Sequence, residues 1–285
     1  MRLTGSQPRR TSDCSGHGAG HAFSPCRRLG AAGPTPLNLN VWRHTLSDYF
    51  IFSASAELYD LIYAGFKDYP AEAAQLAATI RTAHPQARSV LDVACGTGEH
   101  ARLLTDKHGF TVDGLDLDPA FVQIAHEKLS RGSVYQADMV SFSLPRRYDV
   151  ILCLFSSIGY VRTLERVRST LECFRAHLAM GGIVLVEPWF APGALERGRV
   201  FVKTAEAEGV NVCRMSHVEI EGRLSRLRFE YLVGRSTGLE HLSELHELGL
   251  FTVEEMLAGF REAGLDATHD PLGPYGRGLF LARAA

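Results

Sequence analysis

The stretch "VLDVACGTGEHARLL", residues 90–104, decides the fold. It runs without a break from a buried strand through a glycine turn into an amphipathic helix. Gly96 and Gly98 stand where a backbone must bend tightly and approach a ligand closely. The question is which small molecule has its phosphate, carboxylate or amine held against that turn.

Working outward, the neighbouring segments alternate between helix and strand. Upstream, "SASAELYDLIYAG" (53–65) and "DYPAEAAQLAATIRTAH" (68–84) read as helices, the second with Pro70 near its start, where a missing N–H is harmless. Downstream, strand "FTVDGLDL" (110–117) leads to helix "DPAFVQIAHEKL" (118–129), with Asp118 as N-cap and Pro119 at the first helical position. Strands "SVYQAD" (133–138) and "YDVILCLF" (148–155), helix "TLERVRSTLECFRAHL" (163–178) and strand "GGIVLVEPW" (181–189) follow. Apolar strands separated by helices predict a parallel sheet covered on both faces. The pattern then changes. Within an insert over 190–250, residues 199–250 carry strand-like alternation without helices: in "RLSRLRFEYLV", Leu227, Phe229, Tyr231 and Val233 point one way and Arg226, Arg228 and Glu230 the other. This predicts an antiparallel insert that roofs the site, forms a dimer contact, or both. Helix "TVEEMLAGFREAG" (252–264) and strands "DATHDPL" and "GLFLARA" complete a mainly parallel α/β sheet of seven strands.

Bulk properties narrow the function. The 285 residues carry 46% hydrophobic and 22% charged side chains and a formal net charge of −2, ordinary for a globular protein. That charge gives no footprint for nucleic acid, and no apolar run has the length of a membrane span. The six cysteines are scattered, as expected of reduced thiols in a cytoplasmic protein. Residues 1–46 are rich in Gly, Ser, Pro and Arg and read as a disordered tail, or as translation from a start codon placed too far upstream. Cys14, His17, His21 and Cys26 in that tail are metal-capable, but their spacing matches no zinc module.

The glycine turn itself allows two ligands. Gly96-x-Gly98-x-x-Ala101 satisfies the dinucleotide fingerprint, and Asp116, 20 residues on, stands where a ribose-binding acid belongs. One reading is therefore a nicotinamide-dependent oxidoreductase. S-adenosylmethionine (SAM) also carries free ribose hydroxyls, so Asp116 alone does not separate the two. Three features favour SAM. Asp92 interrupts an apolar strand four residues before Gly96, where a pyrophosphate has no use for an anion but an ammonium and a sulfonium do. "QADM" after the third strand offers Asp138 to an adenine amino group and the Met139 N–H to the ring, although Asp138 equally suits a turn cap. Last, the chain closes with helix, strand and strand rather than a sixth parallel unit.

In order and spacing, "LDVACGTG", "GLDLD", "QADM", "YDVILCLFSSIGY" and "GGIVLVEPW" resemble the class I SAM-dependent methyltransferases, over roughly residues 53–285. Within that class, "AELYD", "KDYPAEAAQ", "FSSIGY", "VEPWF" and "GPYGRGLF" resemble the TDP-amino-sugar N,N-dimethyltransferases. The resemblance implies a Rossmann-like fold over residues 47–285, SAM as cofactor, a small-molecule amine acceptor and a homodimer. Two positions depart from it. Tyr160 stands where those sugar enzymes usually have histidine, and Ala64, Gly65 and Phe66 replace a basic stretch that includes an arginine expected to hold the sugar nucleotide.

What the resemblance implies for residues follows position by position. Backbone groups of Ala94, Gly96 and Gly98 line the methionine part of SAM, Asp116 takes the ribose hydroxyls, Leu117 packs on the adenine, and Asp138 and Met139 read its edge. Tyr69 touches the cofactor carboxylate, or is a packed helix aromatic. Phe155 faces the sulfonium, a contact of ~1 kcal/mol or more when desolvated. Tyr63, Tyr160 and His217 are candidates to orient the acceptor or pass on its proton. Glu187, Trp189 and Arg226 are candidates for its pocket, with core packing the alternative for Trp189 and simple strand exposure for His217 and Arg226. Transfer is an in-line displacement in which the protein mainly aligns the reactants. An acceptor amine with a pKa like that of lysine, ~10.4, costs roughly 4–5 kcal/mol to hold neutral at pH 7. No metal-ligand cluster is visible in the catalytic core. O- or C-methylation of another metabolite, and a non-catalytic SAM-binding subunit, remain open.

Overall fold

Strand β1 (Ser89–Val93) lies at the centre of the sheet, between β2 (Thr111–Asp116) and β4 (Tyr148–Cys153), parallel to both. With β3 (Val134–Gln136), β5 (Leu178–Val186), β10 (Leu265–Asp270) and β11 (Leu279–Ala284), the strand order is β10-β11-β5-β4-β1-β2-β3. The order therefore reverses between β1 and β4. The crevice beyond the carboxyl ends of those two strands is where an open α/β sheet binds ligands. The terminal β10–β11 hairpin is antiparallel, and β11 runs antiparallel to β5, the closure expected from the strand–strand ending.

The computed structural model describes Phe52 and residues 54–207, 209–273 and 276–285, all within the compact unit Leu46–Ala285. The tail expected over residues 1–46, with Cys14, His17, His21 and Cys26, lies outside the described residues, as do Pro274 and Tyr275.

Alternate side chains of the central strands feed two buried layers. Leu91, Val93, Ile151, Cys153, Val184 and Val186 pack with Phe174 of α5 (Leu164–His177) and Phe260 of α6 (Val253–Glu262). Val90, Val150, Leu152, Ile183 and Leu185 pack with Leu76 and Ile80 of α2 (Tyr69–Ala83) and Leu104 of α3 (Glu99–His108). The strands are apolar on both faces because helices cover both. Caps set the helix starts: Asp68 accepts from the Ala71 N–H, Asp118 from the Ala120 N–H ahead of α4 (Pro119–Lys128), and Thr252 and Glu255 form a reciprocal capping box on α6.

Between β5 and α6 stands a four-stranded antiparallel meander, β6 (Val200–Ala207), β7 (Val210–Glu221), β8 (Leu224–Arg235) and β9 (Gly238–Gly249). Cross-strand register sorts its two faces. The row Phe201, Ser216, Phe229, Glu244 and the row Lys203, Arg214, Tyr231, Leu242 point inward. Val212, Phe229, Tyr231 and Val233 pack there on Leu58, Ile62 and Tyr63 of α1 (Ala56–Ala64). The row Val202, Met215, Glu230, Ser243 faces the other way, with Val202 and Met215 about half exposed. Leu227, Phe229, Tyr231 and Val233 thus turn inward, away from Arg226, Arg228 and Glu230, as the alternation predicts.

Candidate active site

Three non-glycine residues near the ends of β1 and β4 occupy the left-handed region: Ala94 (φ 56°), Phe155 (φ 51°) and Ser156 (φ 65°). Such strain persists where the surroundings over-determine it, commonly at ligand sites. Gly96 (φ 56°) has open space where a side chain would stand. Gly98 (φ 78°) is different: a Cβ there would meet Ala125 Cβ and Leu129 Cδ1 at 3.0 Å. Its glycine serves the close packing of α3 on α4.

Two buried carboxylates stand behind this turn. Asp116 Oδ2 accepts from the Gly96 N–H at 2.8 Å and Oδ1 from the Asp118 N–H at 2.9 Å. Burial pushes its carboxyl up to about 6 despite those donors. Asp92 is 2% exposed, and its carboxylate accepts no hydrogen bond among the described residues. Burial, and then the neighbouring Asp116 charge, push it up to about 7. Tyr69, Asp92, Gly96 and His100 surround a recess of about 40 Å³ against the turn.

A cavity of about 890 Å³ opens from the turn toward the meander. Ala94, Gly96, Asp116, Leu117, Asp138 and Met139 line one part of it, and Tyr63, Phe155, Tyr160, Trp189, Arg214 and Glu244 the other. Leu117, an exposed leucine beside buried Asp116, presents an apolar face suited to a flat ring. Asp138 accepts from the Val140 N–H at 3.0 Å and pairs with Arg166 at 3.1 Å. The Phe155 ring already carries cations, Lys67 Nζ at 3.8 Å and the Arg277 guanidinium at 5.2 Å from its centroid.

The other sequence candidates fall elsewhere. Tyr69 borders the small recess, and Gly98 lines neither space. Glu187 is fully buried behind the cavity wall, where it accepts from the Phe155 N–H at 2.7 Å and faces Arg277 at 3.6 Å. Burial pushes it up to about 7. It ties the ends of β4 and β5 together. Trp189 is half-buried, lines the cavity and donates to Ser225 Oγ at 2.8 Å. His217 and Arg226 are not brought to the cavity. Both lie on the outward face of the meander, because each alternates with an inward neighbour. His217 faces Glu219 at 3.7 Å, and Arg226 pairs with Glu247 at 2.7 Å and with Glu221.

The meander instead contributes residues that the sequence reading passes over. Arg214 donates to Tyr63 Oη at 3.2 Å and stacks over the Tyr63 and Phe229 rings. Glu244 accepts from Tyr231 Oη at 2.8 Å, and His246 lies 2.9 Å from Tyr160 Oη. Their signal is present in the sequence as charges at the apolar phase of an alternating strand, but it becomes readable only once the phase is fixed.

A parallel sheet whose order reverses at β1 and β4, a strained glycine turn with two buried carboxylates, and a cavity running from that turn under an antiparallel roof fit the class of SAM-dependent methyltransferases. Comparison with known proteins agrees. Residues 90–182 match the methyltransferase domain family. The dTDP-3-amino-3,6-dideoxy-alpha-D-glucopyranose N,N-dimethyltransferase of Streptomyces fradiae is 45% identical over 227 residues, 79% of this chain and 89% of that one. The dTDP-3-amino-3,4,6-trideoxy-alpha-D-glucopyranose N,N-dimethyltransferase of Streptomyces venezuelae is 39% identical over 79% of this chain and 96% of that one. Among solved structures, Streptomyces venezuelae DesVI superposes with a TM-score of 0.76 at 38% identity, covering 81% of this chain and 98% of the other. SAM-bound CalS10, an amino pentose methyltransferase of Micromonospora echinaspora, gives 0.73 at 35% identity, covering 80% and 97%. The chain belongs to this family of SAM-dependent methyltransferases. The nicotinamide reading of the glycine turn is set aside, and so is that of a non-catalytic subunit.

Proposed function

We propose that the enzyme methylates the amine of a nucleoside-diphosphate amino sugar, twice in succession, with SAM as donor. The observation that carries this reading is the single cavity of about 890 Å³ joining the glycine turn to the inward face of the meander. It lies toward the upper end of the range for small-molecule sites, and its two differently lined parts suit a cofactor and an activated sugar side by side. Relatives 37–45% identical are named for N,N-dimethylation of dTDP-linked amino sugars. Arg199 and Lys203 on the cavity wall rest over the Phe201 and Phe66 rings without a carboxylate partner among the described residues. They offer charge to a diphosphate in place of the arginine missing near Phe66.

The residues fit SAM. Asp92 is a buried carboxyl that accepts no hydrogen bond among the described residues, suited when ionised to an ammonium, and the open side of Gly96 leaves the backbone approachable. In this reading Asp116 takes the ribose hydroxyls, Leu117 covers the adenine, Asp138 and Met139 read its edge, and Tyr69 stands by the carboxylate. Bound SAM supplies a methyl group already activated on sulfur. The chain's own contribution is to align the acceptor, exclude water and hold the amine neutral. Tyr63 and Tyr160 stand on the acceptor side, with Trp189 as part of the wall. The exposed apolar side chains Val202, Met215 and Leu232 on the outward face of the meander support a homodimer through residues 190–250. Among the described residues no helix is long and apolar enough to cross a membrane. The unbridged Cys95, Cys153, Cys173 and Cys213 support a reducing, cytoplasmic setting.

The test is mass spectrometry of a TDP-3-amino-6-deoxyhexose incubated with SAM and the purified protein. Addition of one and then two methyl groups is expected. No product, in a preparation that binds S-adenosylhomocysteine, overturns the amino-sugar acceptor and leaves the cofactor assignment standing.

A further inference from the structure

Behind Tyr160 lies a buried polar chain that alignment of reactants does not require. Tyr160 stands on the 3-10 turn Ser157–Val161, lines the cavity, and has its Oη 2.9 Å from His246 Nδ1. His246 is fully buried on the inward face of β9, with Nε2 3.3 Å from Glu244 Oε2. Glu244, 4% exposed, also accepts from Tyr231 Oη at 2.8 Å, and its Oε1 has no hydrogen-bond partner among the described residues.

Donor counting fixes the proton positions. A carboxylate has no hydrogen to give, so the imidazole must carry its proton on Nε2 and donate it to Glu244. Nδ1 is then a bare lone pair, and among the described residues the only hydrogen available to it is that of the Tyr160 hydroxyl. The phenol therefore points its hydrogen away from the cavity and leaves its oxygen lone pairs for a ligand N–H.

We propose that Tyr160, backed by His246 and Glu244, removes the proton from the acceptor ammonium before methyl transfer. This rests on the amino-sugar reading above. In the step an ammonium N–H bond breaks and an O–H bond forms on Tyr160, while the original Tyr160 O–H breaks and an N–H forms on His246 Nδ1. The substrate becomes a neutral amine with its lone pair free, and the imidazolium is held against the Glu244 carboxylate. The proton returns through Tyr160 to water after product leaves. Tyr160 is the catalytic residue, and His246 and Glu244 are positioning residues acting through it.

The surroundings fit this role. The titratable or charged groups facing the chain are Glu244 on β9, Tyr231 on β8, Arg214 on β7, Tyr59 and Tyr63 on α1 and Asp116 at the end of β2. Burial lowers His246 below the ordinary imidazole value, so it is neutral and able to accept near pH 7. Burial raises Tyr160 well above the ordinary phenol value, so the phenol relays a proton without resting as phenolate.

The experiment is the pH dependence of kcat and KM for a TDP-amino sugar, for the wild type and for Tyr160→Phe, His246→Asn and the double variant. Thermal unfolding and S-adenosylhomocysteine binding are measured on each. Asn at 246 keeps a hydrogen bond to Tyr160 but takes no proton. Both single variants should lose about 10–100-fold in kcat at pH 6.5 with little change in KM, and the deficit should narrow as pH rises past the pKa of the acceptor amine. The double variant should lose no more than either single one. Wild-type turnover with profiles that run parallel across pH for all variants overturns the relay alone. Absence of wild-type product overturns the amino-sugar reading, and the relay with it.

Discussion

Asp92→Asn tests the cofactor side of the site through stability as well as binding. The wild-type carboxyl is pushed up to about 7 from an ordinary 3.8, by burial first and by Asp116 second. Between those values the folded protein keeps a proton that the unfolded chain has released, so stability falls as pH rises from about 4 to about 7. The full displacement corresponds to roughly 4 kcal/mol. Relaxation of the recess and easing of the Asp116 interaction reduce this, and about 2 kcal/mol is expected to be realised. For a domain of this size that is roughly 4–8 °C in Tm. The ligand-free variant should melt higher than wild type by that amount at pH 8, with the difference shrinking as pH falls and closing only near pH 4. The ammonium of S-adenosylhomocysteine reverses the balance, since it gives the ionised Asp92 the partner it lacks. A charge-assisted hydrogen bond contributes about 1.5–3 kcal/mol, so the variant should bind S-adenosylhomocysteine about 10–100-fold more weakly at pH 8. The assay is thermal unfolding from pH 4 to 8 with and without S-adenosylhomocysteine, with calorimetry at pH 8. Identical Tm slopes against pH in the two proteins would refute the buried-acid argument. Equal affinity would refute the pairing with the ammonium.

Gly98→Ala should lower stability by about 1–3 kcal/mol, read by chemical unfolding, because a Cβ at φ 78° meets Ala125 and Leu129 at 3.0 Å. His217→Ala should leave kcat/KM within about twofold of wild type in the methyl-transfer assay, since its side chain lies outside the cavity on an exposed strand face. Met215→Glu puts a charge beside Val202 on the outward face of the meander. It should convert the proposed homodimer to monomer in light scattering after gel filtration, with S-adenosylhomocysteine binding unchanged, and a wild type that is already monomeric refutes the dimer proposal.

The parallel sheet is legible in the sequence because its strands are apolar on both faces. "VLDVA" and "VILCLF" then admit no other placement, and Asp92 stands out as the exception that marks the site. The glycine turn reads equally well, although the sequence alone does not separate Gly96, kept open toward a ligand, from Gly98, which α4 requires. The meander is harder. Arg214 and Glu244 look like ordinary solvated charges in an edge-like strand, and they become buried only because the register sets Arg214 beside Tyr231 and Glu244 beside Phe229, facing α1. Part of this is a matter of parity alone. If Val212 and Val218 on β7 turn inward, so do Arg214 and Ser216, and His217 must turn outward. What parity cannot supply is the partner. That Tyr160 reaches His246 across 86 positions of chain depends on β9 lying against the turn after β4, and no local pattern carries that contact. The chemistry follows from it: an isolated tyrosine is too weak a base to take an ammonium proton at neutral pH, whereas a tyrosine hydrogen-bonded to a neutral, carboxylate-backed imidazole can pass one on. Tyr160 therefore has an imidazole one hydrogen bond behind it, in His246.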